Sequence, residues 1–195
     1  MTRHERARPS ASARASIAAL AARLMAEDGI SDYYHAKKKA ARQLGLPEHA
    51  GLPDNAEVEA ELRAYRAIYQ AEEHAELLLA MRRSALGLLE LLERFNPCLT
   101  GSVLDGTAGE HSRIDILLFA DSAKEVEIFL LNRNIDVDHA EPRNERVEAV
   151  LVVETDTVDA NLIVMPAALE RVNLKRRDGR PYERLRADRL RELVA

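Results

Sequence analysis

The sequence predicts an α+β protein: a helical first half, a mixed β-sheet core, and a basic C-terminal helical segment. Three observations predict it. Up to Phe95, apolar residues recur every three or four positions, the spacing of one helix face. Pro97 then ends the helical pattern. Beyond it come short apolar runs rich in β-branched residues, which read as strands. The boundaries follow the texture: a helical region over 1–95, a sheet core over 96–170, and a basic segment over 171–195.

The elements follow in order. Residues 1–9 are polar and read as a tail. Ser10 or Ser12 caps a helix running to about Asp28, with Ile17, Leu20 and Leu24 on one face, and Gly29 stops it. Ser31 or Asp32 starts a second helix that reaches Leu44, ahead of Gly45 and Pro47, and carries Lys37, Lys38, Lys39 and Arg42. The pair has a helix-turn-helix outline, which most helical hairpins that only pack also share. Asp54 followed by Glu57 is a capping box. Val58, Leu62, Tyr65 and Tyr69 then form a stripe, continued by Leu78, Met81, Ala85, Leu88, Leu92 and Phe95. The stripe weakens at Glu72-Glu73-His74, where a bend or break is expected. It faces either the core or a second copy of the chain, a homodimer through residues 58–95.

Strands are expected over 98–104, 114–119, 135–137, 147–153 and 161–165, with a helix over 122–132 between the second and third. Glu154-Thr155-Asp156-Thr157 reads as a hairpin turn between the last two. The stretch after Pro166 is basic and helical in pattern, with Leu185, Leu190 and Leu193 as its apolar residues.

Composition narrows the class. Hydrophobic residues make up 47% of the 195 and charged residues 31%, which supports a buried core and argues against disorder. With no Trp and 4% aromatics, that core must be aliphatic. Cys98 is the one cysteine, which points to a reducing compartment. No apolar run approaches the roughly 20 residues of a membrane span, and the polar, Arg-rich start does not read as a secretory signal. The expected location is cytoplasmic, with no membrane partner. Net charge is −5, distributed as +4 over residues 1–50, −14 over 51–170 and +5 over 171–195. An acidic whole argues against a general nucleic-acid coat. The basic ends either pack on the acidic middle or hold an anionic partner.

One segment stands out chemically: Leu99-Thr100-Gly101-Ser102, ten residues, then Arg113-Ile114-Asp115-Ile116-Leu117-Leu118-Phe119. A Gly-Ser turn after a strand offers free N–H groups and a hydroxyl to phosphate oxygens, and glycine lets a phosphate approach the backbone. Residues 113 and 115 point to one face of the following strand. Two acids at such positions could hold two metal ions about 4 Å apart and clamp a phosphoryl group. The segment resembles the DNA polymerase β-type nucleotidyltransferase superfamily, most of all its small bacterial members. On that pattern Gly101 and Ser102 match the turn, Gly106 a second glycine, Ser112 the serine, and Asp115 the second aspartate of the strand motif. The order of the later helix and hairpin also follows the family. The resemblance covers about 70 of the 195 residues.

The departures are equally specific. Arg113 stands where the family has its first aspartate. The third carboxylate falls on Asn161, or is displaced to Asp159 two residues earlier on the same face. An always-charged Arg113 on one face with Asp115 would pair with it most simply, and would repel a cation. The resemblance implies Mg²⁺-dependent transfer of a nucleoside monophosphate from a nucleoside triphosphate to an RNA end, a protein hydroxyl or a small molecule. In that scheme Gly101, Ser102 and Ser112 hold phosphate. Asp115, with Asp159 or Asn161, holds metal, and Arg113 neutralises charge developing on the phosphate. The alternative is a degenerate active site: a catalytically silent module that binds nucleotide, RNA or a protein. Weaker candidates are Asp105, Glu110 and His111 in the intervening loop, Cys98 beside the turn, and the cluster Lys175, Arg176, Arg177 and Arg180.

Overall fold

The computed structural model describes residues 11–46, 51–69, 71–142, 144–175, 179 and 181–195. Ser10 and the cluster residues Arg176, Arg177 and Arg180 lie outside the described residues. The architecture is α+β, with helices concentrated in the first half and one five-stranded mixed sheet in the second. The chain divides into two compact units, residues 1–74 and 75–195. The division falls between His74 and Ala75, earlier than residue 95, where the sequence texture changes.

The first unit holds three helices: α1 (Ala11–Glu27), α2 (Tyr33–Gln43) and α3 (Asn55–Tyr69). α1 packs against both α2 and α3. The core is built from small and aliphatic side chains, among them Ile17, Ala21, Ala36, Ala40, Val58 and Leu62. Asp32 caps α2 by accepting from the His35 N–H at 2.7 Å. At the start of α3 the capping box is reciprocal. Glu57 N–H donates to Asp54 Oδ1 at 2.9 Å, and Asp54 N–H donates to Glu57 Oε2 at 2.7 Å. Each bond satisfies a donor that a helix start leaves open. Lys37 is buried, and its ammonium donates to the Pro53 carbonyl and to Asn55 Oδ1, tying α2 to the entry of α3. Val58 and Leu62 face this core as the stripe predicts, but Tyr69 is exposed.

Helix α4 (Ala71–Leu91), most of which belongs to the second unit, contains Glu72-Glu73-His74, where a bend or break is expected, within its first turns; it gives Met81, Ala85 and Leu89 to a large core, joined by Leu92 and Phe95. The sheet comprises β1 (Cys98–Thr100), β2 (Ile114–Ala120), β3 (Asp138–Ala140), β4 (Ala149–Val153) and β5 (Ala160–Pro166). Their spatial order is β1-β2-β5-β4-β3. β2 and β5 run parallel, and every other pair is antiparallel. Helix α6 (Ala123–Leu131) lies between β2 and β3 in the chain, and α7 (Ala187–Val194) closes it. Among the described residues no helix is long and apolar enough to cross a membrane.

The sheet has two differently covered faces. Ile114, Ile116, Leu118, Leu162 and Val164 join the core with α4, with α6 residues Val126 and Leu130, and with Leu190 of α7. The alternate residues Leu117, Phe119 and Met165, with Cys98, pack against Leu174 and partly buried Leu169 and Tyr182. Two-residue periodicity puts Arg113 and Asp115 on this second face.

Three expected elements are corrected. The first strand ends at Thr100, because Gly101 turns to a φ of +73° and opens α5 (Gly101–Asp105). The third strand is Asp138–Ala140; Ile135 and Val137 pack against the core from the connection before it. The described residues of the C-terminal segment ahead of Ala187 are not α-helical. Leu185 bridges Leu99, and among the described residues of that segment Ala187–Val194 is the α-helix.

Candidate functional site

Strand register brings the predicted residues together. In the sheet Thr100 lies opposite Asp115, and Asp115 opposite Asn161. Gly101 begins the turn immediately after Thr100. A Cβ built on Gly101 would lie 2.8 Å from Asp115 Oδ2. The Gly-Ser turn and the aspartate therefore share one end of the second face. Glycine is required at 101 twice over, for the positive φ and for this close approach.

The polar side chains at this end form a string. Arg113 Nη2 pairs with Asp159 Oδ2 at 3.2 Å, and Arg113 Nη1 donates to Asn161 Oδ1 at 3.4 Å. Asn161 Nδ2 donates to Asp115 Oδ1 at 2.8 Å. The order is Asp159, Arg113, Asn161, Asp115, and then the backbone of Gly101. The guanidinium fixes the oxygen end of the Asn161 amide toward itself, and the Asp115 carboxylate fixes the nitrogen end. Arg113 thus pairs with Asp159, not with Asp115 as its position on the strand suggests. The parallel neighbour β5 puts Asp159 within reach, and the tip of the long arginine side chain leaves its own strand.

Ser102 sits in the first turn of α5, where its carbonyl accepts from the Thr107 and Ala108 N–H groups. Ser112 serves its own loop: its hydroxyl accepts from Gly109 N–H at 3.0 Å, and its N–H donates to the Gly109 carbonyl. Asp105 turns to Thr107, accepting from its N–H at 3.1 Å and its hydroxyl at 2.5 Å, at the far end of α5 from Gly101. Glu110 and His111 are exposed. Cys98 is buried, and burial pushes its thiol up, partly opposed by Arg186 and Arg184. It is a core residue.

Thr100 carried no signal in the sequence. Its hydroxyl donates to the Glu183 carbonyl at 2.8 Å, and Leu99 exchanges backbone bonds with Leu185. Arg184 donates to the Glu170 and Val172 carbonyls. These bonds hold the C-terminal segment beside the second face. Nothing in local sequence announces a pairing between residues 99 and 185.

A divalent metal would need the hard oxygen donors of Asp115, Asp159 and Asn161. Two of these three side chains, Asp159 and Asn161, already face the Arg113 guanidinium, which repels a cation. Among the described residues no group of three or more His, Cys, Asp or Glu could hold a metal ion. The residues present do not fit a two-metal centre. Compared with family models, with curated proteins and with solved structures, the chain matches none.

Proposed function

We propose that the sheet unit is a nucleotidyltransferase-like module with a degenerate active site, one that binds a nucleotide without transferring it. The observation that carries this reading is the string Asp159–Arg113–Asn161–Asp115 ending at Gly101. Two-metal phosphoryl transfer depends on carboxylates held a few Å apart around the ions. Here a guanidinium and an amide stand between the two carboxylates and supply their donors from within the chain. The turn at Gly101 keeps the positive φ of the glycine turns that present backbone N–H groups to phosphate. The sequence resemblance to the family supports the same assignment.

A thermal-shift series with the four ribonucleoside triphosphates and their monophosphates, in Mg²⁺ and in EDTA, tests it. The expected outcome is stabilisation by a nucleotide that is equal in the two buffers and survives Asp115→Asn. Stabilisation by a triphosphate that needs Mg²⁺ and vanishes in Asp115→Asn would instead favour nucleoside monophosphate transfer. No response to any nucleotide would remove the nucleotide reading.

A further inference from the structure

A cleft opens on the α4 side of the sheet, between that helix and the turn that joins β4 to β5. Its volume is about 470 Å³, within the roughly 300–1,000 Å³ of small-molecule sites. Arg83, Gly87, Leu88 and Leu91 line the helix wall, and Glu154 and Asp156 line the turn wall. One hydroxyl bond ties the walls together, from Thr157 Oγ1 to Ser84 Oγ at 3.2 Å. Thr155 Oγ1 donates to the Val158 carbonyl at 2.6 Å and fixes the turn. Leu88 and Leu91 are half-buried and give the cleft apolar surface.

Two features of this cleft serve nothing within the chain. The first is Gly87. It lies inside α4, where glycine weakens a helix relative to alanine. Packing does not require it, because a Cβ built there meets no atom of the described residues within 4 Å. The second is charge. Arg83, Glu154 and Asp156 are exposed, and among the described residues none of the three makes a hydrogen bond or an ion pair. Opposite charges therefore line the two walls of the cleft without pairing.

We propose that this cleft binds a small zwitterion with a hydrocarbon body, in its simplest form a dipeptide of apolar residues with free termini. The carboxylate pairs with Arg83 and the ammonium with Glu154 and Asp156. The hydrocarbon lies on Leu88, Leu91 and the bare backbone at Gly87. A purely anionic ligand is repelled by the two carboxylates, and a purely cationic one by Arg83. An uncharged apolar ligand strips water from all three charges without replacing it. The charges on the two walls stand apart, as the two termini of a dipeptide do. The inference does not rest on the nucleotide reading, because Arg113 and Asp115 lie on the other face of the sheet.

The test is NMR of the isotope-labelled full chain, titrated with leucyl-leucine, its N-acetyl form and its C-terminal amide. The free dipeptide should shift amides over 83–91 and 154–156 saturably, with a submillimolar Kd. Each cap removes one exposed ion pair and should weaken binding about fivefold. Arg83→Gln should weaken the free dipeptide to the same degree and no longer distinguish it from the amide. Glu154→Gln with Asp156→Asn should no longer distinguish it from the N-acetyl form. Gly87→Leu should weaken binding at least about tenfold, because the new side chain takes the ligand's place. The same variant should raise the thermal midpoint, because it removes a helix glycine. Absence of a saturable shift overturns the proposal. So do shifts confined to other residues, and so does equal binding of the free and capped peptides. Shifts over the same residues on dilution of the chain alone would assign the cleft to a second copy and overturn it as well.

Discussion

Gly101 and Asp115 constrain each other at the polar end of the sheet. A methyl group at 101 meets the Asp115 carboxylate at 2.8 Å and sits on a backbone with φ +73°. These are separate penalties. The strained conformation alone costs about 1–2 kcal/mol for a non-glycine residue, and the clash adds to it. Gly101→Ala should therefore destabilise the sheet unit by about 2–4 kcal/mol. Asp115→Gly in the same chain should recover the steric part and leave the backbone part. Urea denaturation of the two single variants and the double variant measures this. An additive cycle would mean that the two residues do not interfere. Asn161 is a second fixed point, because its amide bridges Arg113 and Asp115 and each end has one correct partner.

At the level of the elements, the capping box shows what sequence can announce. Asp54 and Glu57 lie three positions apart, and each satisfies the other's backbone N–H. Asp54→Ala should cost about 1 kcal/mol. The Arg14 side chain holds the Glu57 carboxyl below its usual range, helped by the Asp54 N–H, against a smaller opposing effect of burial. A lowered folded pKa means that the stabilisation is present above the unfolded value, about 4.3, and is lost as pH falls through the folded one. Glu57→Gln should thus flatten the acid side of the unit's stability profile in pH-resolved denaturation. An unchanged acid limb would contradict the assignment. Capping signals are local, and so α2, α3 and α6 start close to where their residues indicate. Strand β3 is different. Ile135 and Val137 mark burial, and burial does not specify which backbone pairs: the ladder forms one step later, between 138–140 and 150–152. The C-terminal segment is a similar case. Among its described residues the helical pattern is realised over Ala187–Val194, and Leu185 ahead of it is captured by Leu99, far away in sequence.

Over the whole molecule, the two units have separate apolar cores. Leu62 belongs to one and Leu89 to the other. Each truncation to alanine should cost about 2–5 kcal/mol in its own unit. Hydrogen exchange should show Leu62→Ala loosening 11–69 while 98–166 stays protected, and Leu89→Ala doing the reverse. Uniform loosening by either variant would count against independent cores. The α+β class and the broad positions of the strands were legible because periodicity changes sharply at Pro97. The convergence of 101, 115, 159 and 161 was legible only through a resemblance, since parallel pairing of β2 with β5 is a long-range choice that no local pattern encodes. The ion pair of Arg113 with Asp159 required the register itself.

The lone thiol has a practical consequence. Cys98 lies under Leu174 and beside the strap that Leu185 and Glu183 fasten to β1. Alkylating reagents reach only a thiolate in contact with solvent, and burial withholds both conditions. Maleimide uptake by the native chain is therefore a built-in clock for the parting of the strap from the sheet. Thr100→Val, which removes one fastening, should make it run faster, and an unchanged rate would mean that this fastening does not hold the strap shut.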